Sequence, residues 1–342
     1  MRVRVVNSGR DFEVDHTQSV LDAALAASWK LPHGCRGGNC GLCKTRLLQG
    51  EVRYPNGRPL GLSDAEIDAG YIVLCQARAA SDLELELYGI RAAHERGASR
   101  LPCRIEQTTL AAHDVMIVLL RPPPAVDFVF QAGQYIDVLL PGDRRRSFCI
   151  ASPPHDARLL ELHVRAEAGV DSTPWLFADT GRRAAAPPGA PGEGSLITIE
   201  GPMGRFYYRE AAAEPRPLLL VGGGTGLAPL LSILRHVTGA SLRRELTLYW
   251  GVRGSRDLYA QAAILQLVSR VPGMRYVPVL SEPEPQWTGR TGFVHAAVLD
   301  DIADLAGCDI YAAGPTAMIE ALRDEFPRRG ARLERLYCVS HA

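Results

Sequence analysis

Four cysteines constrain the fold of this 342-residue chain more than any other feature. Cys35, Cys40 and Cys43 fall within nine residues, and Cys75 follows after 31 intervening residues. The N-terminus lacks the apolar core of a signal peptide, so a disulfide framework is not expected. In a reducing compartment, a cysteine cluster more often binds metal or performs redox chemistry. We therefore expect a metal or redox site in a cytoplasmic protein.

The spacing of these cysteines distinguishes between kinds of metal site. Four and then two residues separate the first three, which is the plant-type 2Fe-2S spacing. Structural zinc loops favour paired C-x2-C spacings instead, and free thiols are the remaining alternative. Two bridged irons need four thiolates from two directions, which one loop and one later strand would supply. Nearby glycines let backbone N–H groups approach the sulfurs: Gly34, Gly37, Gly38 and Gly41.

Three stretches of different periodicity predict three domains. Residues 1–90 hold alternating strands and one helix around the cysteine loop. Residues 100–210 hold repeated short strands separated by Gly and Pro, which predicts an antiparallel β-barrel. Residues 215–342 alternate strands with helices, which predicts an α/β domain with a doubly wound parallel sheet.

Composition excludes some classes of function. The 38 basic residues equal the 38 acidic ones, whereas nucleic-acid binding normally requires a basic excess. No apolar run approaches the roughly 20 residues that a membrane span needs. We expect neither a nucleic-acid partner nor membrane insertion.

A short run in the central region suggests a flavin site. Arg146, Ser147, Phe148 and Cys149 resemble the Arg-x-Tyr-Ser signature of the ferredoxin-NADP reductase superfamily. The resemblance implies that the arginine binds the FAD pyrophosphate and that the aromatic ring packs near the isoalloxazine. A guanidinium fork suits a phosphate because it donates two parallel hydrogen bonds. Phe148 replaces the usual Tyr and Cys149 the usual Ser, so polar contacts to the flavin are weakened.

The same resemblance implies further FAD contacts downstream. They fall on one strand and one Gly/Ser/Thr turn: His163, Val164, Arg165, Gly169, Ser172 and Thr173. Thr173 would open a short helix whose N-terminus receives a pyrophosphate.

Two glycine turns in the C-terminal region predict a nicotinamide site. The first joins an apolar strand to a helix, where backbone N–H groups can cradle a pyrophosphate. It resembles the superfamily's Gly-Gly-Thr-Gly-x-x-Pro, and its residues are Gly223, Gly224, Thr225, Gly226 and Pro229. The second resembles Cys-Gly-Pro-x-x-Met through Gly314, Pro315 and Met318.

Several positions near these turns bear on nucleotide chemistry. Ala313 stands where the superfamily has Cys, which implies slower hydride transfer. Arg253 is expected to contact phosphate. Arg256 is either a second phosphate contact or an exposed charge, and Asp257 would disfavour a 2′-phosphate and so favours NADH over NADPH. The resemblance also implies that Tyr337 lies against the flavin.

Nearly the whole chain resembles one architecture. The runs LPHGCRGGNCGLCKTRLLQGEV and YIVLCQARAASDLELEL resemble a plant-type ferredoxin domain, which implies a β-grasp (α+β) fold. The full set is similar to CDP-6-deoxy-glucoseen reductase-like proteins and oxygenase reductase components. That resemblance implies hydride transfer from NAD(P)H to FAD, then single electrons through the 2Fe-2S cluster to a partner protein. The implied partner is a PMP-dependent sugar dehydrase or an oxygenase component.

Two alternatives from other classes remain open at this point. A redox sensor or binding module would keep the cofactors with little turnover, as the departures at Phe148, Cys149 and Ala313 suggest. A structural adaptor would keep the fold without cofactors.

Overall fold

The computed structural model of the chain describes residues 1–6, 10–27, 29, 31, 38, 41, 43–59, 61–62, 64–86, 99–140, 144–166, 192–209, 216–239 and 244–341. Three main sheets follow one another along the chain, one in each predicted region.

The N-terminal domain is a small mixed sheet with a helix packed on it. Its elements are β1 (Arg2–Val5), β2 (Arg10–Glu13), α1 (Val20–Ala26), β3 (Lys44–Gln49), β4 (Val52–Arg53), α2 (Asp64–Asp68), β5 (Tyr71–Val73), β6 (Arg78–Ala79) and β7 (Leu83–Glu86). The sheet order is β2-β1-β7-β3-β5, with β1 and β7 parallel and the other neighbours antiparallel. The hydroxyl of Ser19 caps α1 by accepting from the Asp22 N–H. This arrangement is the predicted β-grasp fold.

The central domain is an antiparallel sheet that closes on itself. Its strands are β8 (Ser99–Ala112), β9 (Val115–Arg121), β10 (Tyr135–Leu140), β11 (Arg144–Cys149), β12 (Leu160–Arg165) and β13 (Leu196–Met203). They run in the order β11-β10-β13-β8-β9-β12. A bridge between Ile150 and Leu162 joins the two edges, which makes the predicted barrel.

The C-terminal domain is a parallel sheet with helices between its strands. Its elements are β14 (Leu218–Gly223), α3 (Leu227–Gly239), β15 (Leu246–Val252), α4 (Gln261–Arg270), β16 (Arg275–Leu280), β17 (Arg290–Thr291), α5 (Val294–Asp301), β18 (Asp309–Pro315), α6 (Thr316–Glu325) and β19 (Leu336–His341). The order β17-β16-β15-β14-β18-β19 places β14 at the point where the winding reverses. Every residue of β14 is buried, as expected of a strand covered on both faces. The predicted fold class is confirmed in all three domains.

Two of the three domains share a buried apolar cluster, and the third domain has a cluster of its own. The central and C-terminal domains share one apolar cluster, in which Ala132, Phe206 and Tyr208 of the former pack with Leu230 and Tyr311 of the latter. The N-terminal domain has its own cluster, and among the described residues that cluster draws only on positions 3–85. Within the described ranges, no helix is both long and apolar enough to cross a bilayer.

Candidate functional site

Two of the four predicted cluster cysteines lie in the described part of the chain, and they lie together. Cys43 precedes β3 and Cys75 follows β5, and the Cys75 N–H points at the Cys43 sulfur over 3.4 Å. Both side chains are buried, at 4% and 8% exposure. Cys35 and Cys40 lie outside the described residues. Two buried thiols from a loop and a separate strand, with an amide directed at one sulfur, fit the donor set of a 2Fe-2S cluster.

Glycines in the cysteine loop have conformations that other residues rarely adopt. Gly38 has φ +85° and Gly41 has φ +65°. A Cβ on Gly38 would lie 2.8 Å from the Gln76 side chain, next to Cys75. The loop therefore approaches the Cys75 segment so closely that a side chain at position 38 would not fit.

The predicted flavin strand is β11, which pairs with β10 in the barrel. Arg146 lies opposite Val138, and Phe148 lies opposite Ile136. Phe148 is half-buried and packs against the barrel core, whereas the Ser147 hydroxyl donates to Asp137 over 2.6 Å. Burial raises the pKa of Cys149 to about 12, so its thiol stays protonated. The strand carries three guanidinium groups, those of Arg144, Arg145 and Arg146, and one neutral thiol.

Strand β12 carries three further predicted FAD residues, His163, Val164 and Arg165. Because successive residues of a strand point to opposite faces, their side chains cannot all face one cofactor. The Val164 side chain lies in the barrel core at 1% exposure, so only its main chain remains available to a cofactor. Arg165 donates to Asp114 over 2.7 Å and faces the C-terminal domain, where its Nη1 would lie 3.0 Å from a Cβ on Gly224. Gly169, Ser172 and Thr173 lie outside the described residues.

His163 serves the interface between the two larger domains. Its ring nitrogens lie 2.8 Å from the Tyr259 hydroxyl and 2.8 Å from a Glu161 oxygen. Arg235 of α3 donates to the other Glu161 oxygen over 2.9 Å. Burial alone would raise the pKa of Glu161, but the hydrogen bonds and charges of His163 and Arg235 lower it to about 2. Both imidazole nitrogens thus have partners within the protein, and the contact of His163 with FAD stays a prediction.

A cavity of about 490 Å³ lies at the carboxyl edge of the parallel sheet, between the barrel and the C-terminal domain. Such edges, at the point where strand order reverses, are where doubly wound sheets bind ligands. Six predicted nucleotide residues line it: Gly223, Gly224, Thr225, Arg253, Pro315 and Met318. Arg165 and Asp114 close it from the barrel side.

The predicted glycines that do not line the cavity hold its two turns together. A Cβ on Gly226 would lie 2.2 Å from the Ala313 carbonyl oxygen, and one on Gly314 would lie 2.9 Å from the Met318 methyl carbon. Pro229 is buried in the first turn of α3. A Cβ on Gly223, which does line the cavity, would lie 2.7 Å from the Met318 sulfur. Side chains would fill this cradle, so the turns fit a bound dinucleotide that approaches their backbone.

The charged turn after β15 has two different parts. Asp257 is 7% exposed, lines the cavity and accepts from the Gly254 N–H over 3.0 Å. The Arg256 side chain is 76% exposed, which matches the alternative of an exposed charge rather than a phosphate contact. The carboxylate of Asp257 therefore lies on the same wall of the cavity as the guanidinium of Arg253.

Tyr337 does not lie where the resemblance implied. It pairs with Tyr311 in the middle of the sheet, and the two rings stack with centroids 4.6 Å apart. Ser340, three residues later, pairs with Gly314 at the carboxyl edge. The ring therefore packs within the sheet rather than against a ligand at its edge.

Sequence reasoning missed several aromatic or charged groups that line the cavity, among them Phe293 and Asp114. Phe293 is 69% exposed and follows a glycine at the mouth, and Asp114 lies at the end of the β8–β9 hairpin. The Gly-Phe pair was the only sequence signal for the first. The second depends on how the barrel docks, which no local pattern encodes.

Comparison with known proteins agrees with this geometry. The chain matches three domain families: the 2Fe-2S iron-sulfur cluster binding domain over residues 3–80, the oxidoreductase FAD-binding domain over 102–208 and the oxidoreductase NAD-binding domain over 220–324. These are the families of the three predicted cofactors.

Full-length relatives share all three domains. The chain is 34% identical to the CDP-6-deoxy-L-threo-D-glycero-4-hexulose-3-dehydrase reductase of Yersinia pseudotuberculosis, with 96% of this chain and 95% of the relative covered. It is also 34% identical to the aromatic O-demethylase reductase subunit of Amycolatopsis, with 98% of each covered. The crystal structure of the Amycolatopsis cytochrome P450 reductase GcoB superposes with a TM-score of 0.71 at 33% identity, covering 99% of this chain and 98% of that one.

The cavity between two cofactor domains, the paired thiols and these full-length relatives lead to one conclusion. The chain belongs to the family of NAD(P)H-dependent electron-transfer reductases that carry FAD and a 2Fe-2S cluster and serve as reductase components for partner proteins.

Proposed function

We propose that this reductase binds its nicotinamide cofactor in the cavity between the barrel and the C-terminal domain and passes single electrons to a dehydrase or an oxygenase component. The observation that carries the proposal is the 490 Å³ cavity, whose walls come from both cofactor domains. We propose domain boundaries at residues 1–90, 100–210 and 215–342.

Each group of residues has a distinct task in this proposal. FAD, when bound, supplies the conversion between the two-electron chemistry of a hydride and one-electron transfer. Arg146 would hold its pyrophosphate at the barrel edge, and the turns at Gly223–Gly226 and Gly314–Met318 would hold the dinucleotide. The buried thiols of Cys43 and Cys75, with Cys35 and Cys40, would hold the cluster.

The charge of the cavity wall supports NADH as the preferred donor. Asp257 is buried in that wall, and a fixed carboxylate there repels a 2′-phosphate, which carries further negative charge. We expect kcat/KM for NADH to exceed that for NADPH, and the reverse order would contradict this part of the proposal.

The partner class rests on the relatives. Because the first two named relatives serve a CDP-hexulose dehydrase and an aromatic O-demethylase, we propose a dehydrase of that type first and an oxygenase component second. A cytoplasmic setting fits thiols that must stay reduced until a cluster is assembled on them.

Anaerobically purified protein would be assayed for NADH oxidation with ferricyanide and with cytochrome c. Turnover with both acceptors, in protein that shows flavin and cluster absorption bands, is the expected result. Cofactor-loaded protein without turnover would favour the redox sensor, and colourless protein the structural adaptor.

A further inference from the structure

One arginine of the C-terminal domain reaches into the N-terminal domain. Arg323 lies near the end of α6, is 7% exposed, and donates from Nη1 to the Gly61 carbonyl over 2.7 Å. The same nitrogen lies 3.7 Å from a Glu66 carboxylate oxygen. A buried guanidinium with partners 262 and 257 residues away in sequence is a specific inter-domain contact rather than a solvated surface charge.

The guanidinium of Arg323 also has a neighbour within its own, C-terminal domain. Cys338 on β19 lies near Arg323: burial raises the pKa of this thiol, and the charge of the guanidinium lowers it in part. Because a guanidinium is planar and its donors point in set directions, the hydrogen bond to Gly61 depends on how the two domains are oriented.

The N-terminal partners of Arg323 form a small buried ionic cluster. Glu66 of α2 pairs with the ammonium of Lys44, and the two side chains are 13% and 11% exposed. The carbonyl oxygen of Lys44 accepts from Arg205 of the barrel domain over 3.0 Å. We call Lys44, Glu66, Arg205 and Arg323 the junction cluster. It is a place where all three domains meet.

The junction cluster lies against the cysteine loop. Lys44 directly follows Cys43, and a Cβ on Gly41 would lie 3.2 Å from Arg323 Nη2. The Gly61 N–H donates to the Gly38 carbonyl over 2.7 Å, so the residue that Arg323 binds is itself bonded to the loop. Any rotation of the N-terminal domain about this junction therefore moves the cluster ligands relative to the barrel.

We propose that Arg323 is a positioning residue that holds the ferredoxin domain, through Gly61 and Glu66, in the orientation in which its cluster receives electrons. The proposal rests on the proposed electron route and adds the residue that aligns it. A small displacement of reacting groups costs large factors in rate, so one contact at the junction can control the inter-domain step. Removing Arg323 leaves the Gly61 carbonyl without its side-chain donor, although Glu66 stays paired with Lys44, and this loss weakens the docked arrangement.

The test separates the hydride step from the inter-domain step. Arg323→Ala, Arg323→Lys and wild type would be mixed with NADH anaerobically in a stopped-flow instrument, with flavin and cluster absorbance followed separately. Arg328→Ala, an exposed arginine just beyond the same helix, is the matched control. We expect flavin bleaching at the wild-type rate in all variants. Cluster reduction should slow by about tenfold in Arg323→Ala, recover in part in Arg323→Lys and stay unchanged in Arg328→Ala.

A second measurement does not depend on turnover. Small-angle scattering of the cofactor-loaded protein should show a larger radius of gyration for Arg323→Ala than for wild type or Arg328→Ala, because the ferredoxin domain leaves its docked position. Unchanged cluster reduction in Arg323→Ala, or slow reduction without a change in dimensions, would overturn the proposal.

Glu66→Gln keeps the test decisive if Arg323→Ala loses its cluster. That variant should slow cluster reduction in the same direction with normal iron content. Loss of iron from both variants would instead show that the junction builds the cluster domain, and the positioning role would be wrong. Failure of the electron route itself has a different result, since wild-type flavin would then not bleach with NADH.

Discussion

The barrel and the nucleotide domain are joined in a different way from the ferredoxin domain. The first two share one apolar core, in which Phe206 of the barrel packs edge-on against Tyr311 of the sheet, with ring centroids 5.7 Å apart. The ferredoxin domain keeps a core of its own and meets the others through the polar junction cluster. Apolar burial stabilises in proportion to area and without directionality, whereas buried polar contacts depend on orientation. The contrast indicates a reductase unit of two domains joined by apolar packing, to which the electron carrier is joined by oriented polar contacts.

Loss of a cluster ligand tests whether the two larger domains can oxidise NADH without the ferredoxin domain. Cys75→Ser should bleach the cluster bands and abolish cytochrome c reduction, while NADH-to-ferricyanide activity persists, because the two-domain reductase needs no residue of the ferredoxin core. Visible spectra, iron analysis and the two assays check this, with Cys308→Ser as the control. Survival of both activities would show that the ligand assignment is wrong.

Loss of Arg146 tests FAD binding by the two larger domains. Arg146→Ala removes the guanidinium expected to hold the FAD pyrophosphate, so the purified protein should be depleted of FAD by about tenfold or more, with normal iron content. Flavin released by denaturation and iron per chain are the measurements. Arg144→Ala, an exposed arginine on the same strand, is the control. Normal flavin content in Arg146→Ala would refute the pyrophosphate role.

Truncation of the shared core tests whether the two larger domains unfold together. Phe206→Ala removes a ring that is 5% exposed at the interface and should cost about 3–5 kcal/mol of the free energy of unfolding. Flavin fluorescence during a thermal ramp should report that loss, while the melting of the cluster band should shift little. A similar shift of both signals would mean that all three domains unfold as one unit.

The polar part of the same interface should respond to acid. Glu161 has a pKa of about 2 in the folded protein against 4.5 for the free group, which corresponds to at most about 3 kcal/mol. A depressed carboxyl pKa stabilises the folded state above pH 4.5, and that stability is lost as the pH falls towards 2. The difference in free energy of unfolding between wild type and Glu161→Gln, followed by flavin fluorescence in urea, should be constant above pH 5 and shrink below 4.5. A pH-independent difference would contradict this.

The parts of the site that the sequence predicted are those encoded by short runs of residues. Cys43 and Cys75 followed from spacing, and the turns around Gly224 and Pro315 followed from glycines between a strand and a helix. The flavin contacts on β12 stay predictions, and there the sequence run did not show which side chains face the cofactor: consecutive residues of a strand face opposite sides, and Val164 points into the core.

Features that depend on how domains dock could not be predicted. Arg323 is one of 38 basic residues, and nothing in the run around it distinguishes it from an exposed helix charge. Tyr337 was misplaced for a related reason: its distance from the C-terminus said nothing about its register on β19, which leaves it three residues before the sheet edge.

Helix α6 borders both the nucleotide cavity and the contact with the ferredoxin domain. Met318 and Ala321 line the cavity, and Arg323 lies two residues beyond, in a helix of 10 residues that is about 15 Å long. The electron donor's site and the seat of the electron carrier are therefore built on one short element, less than one helical turn apart.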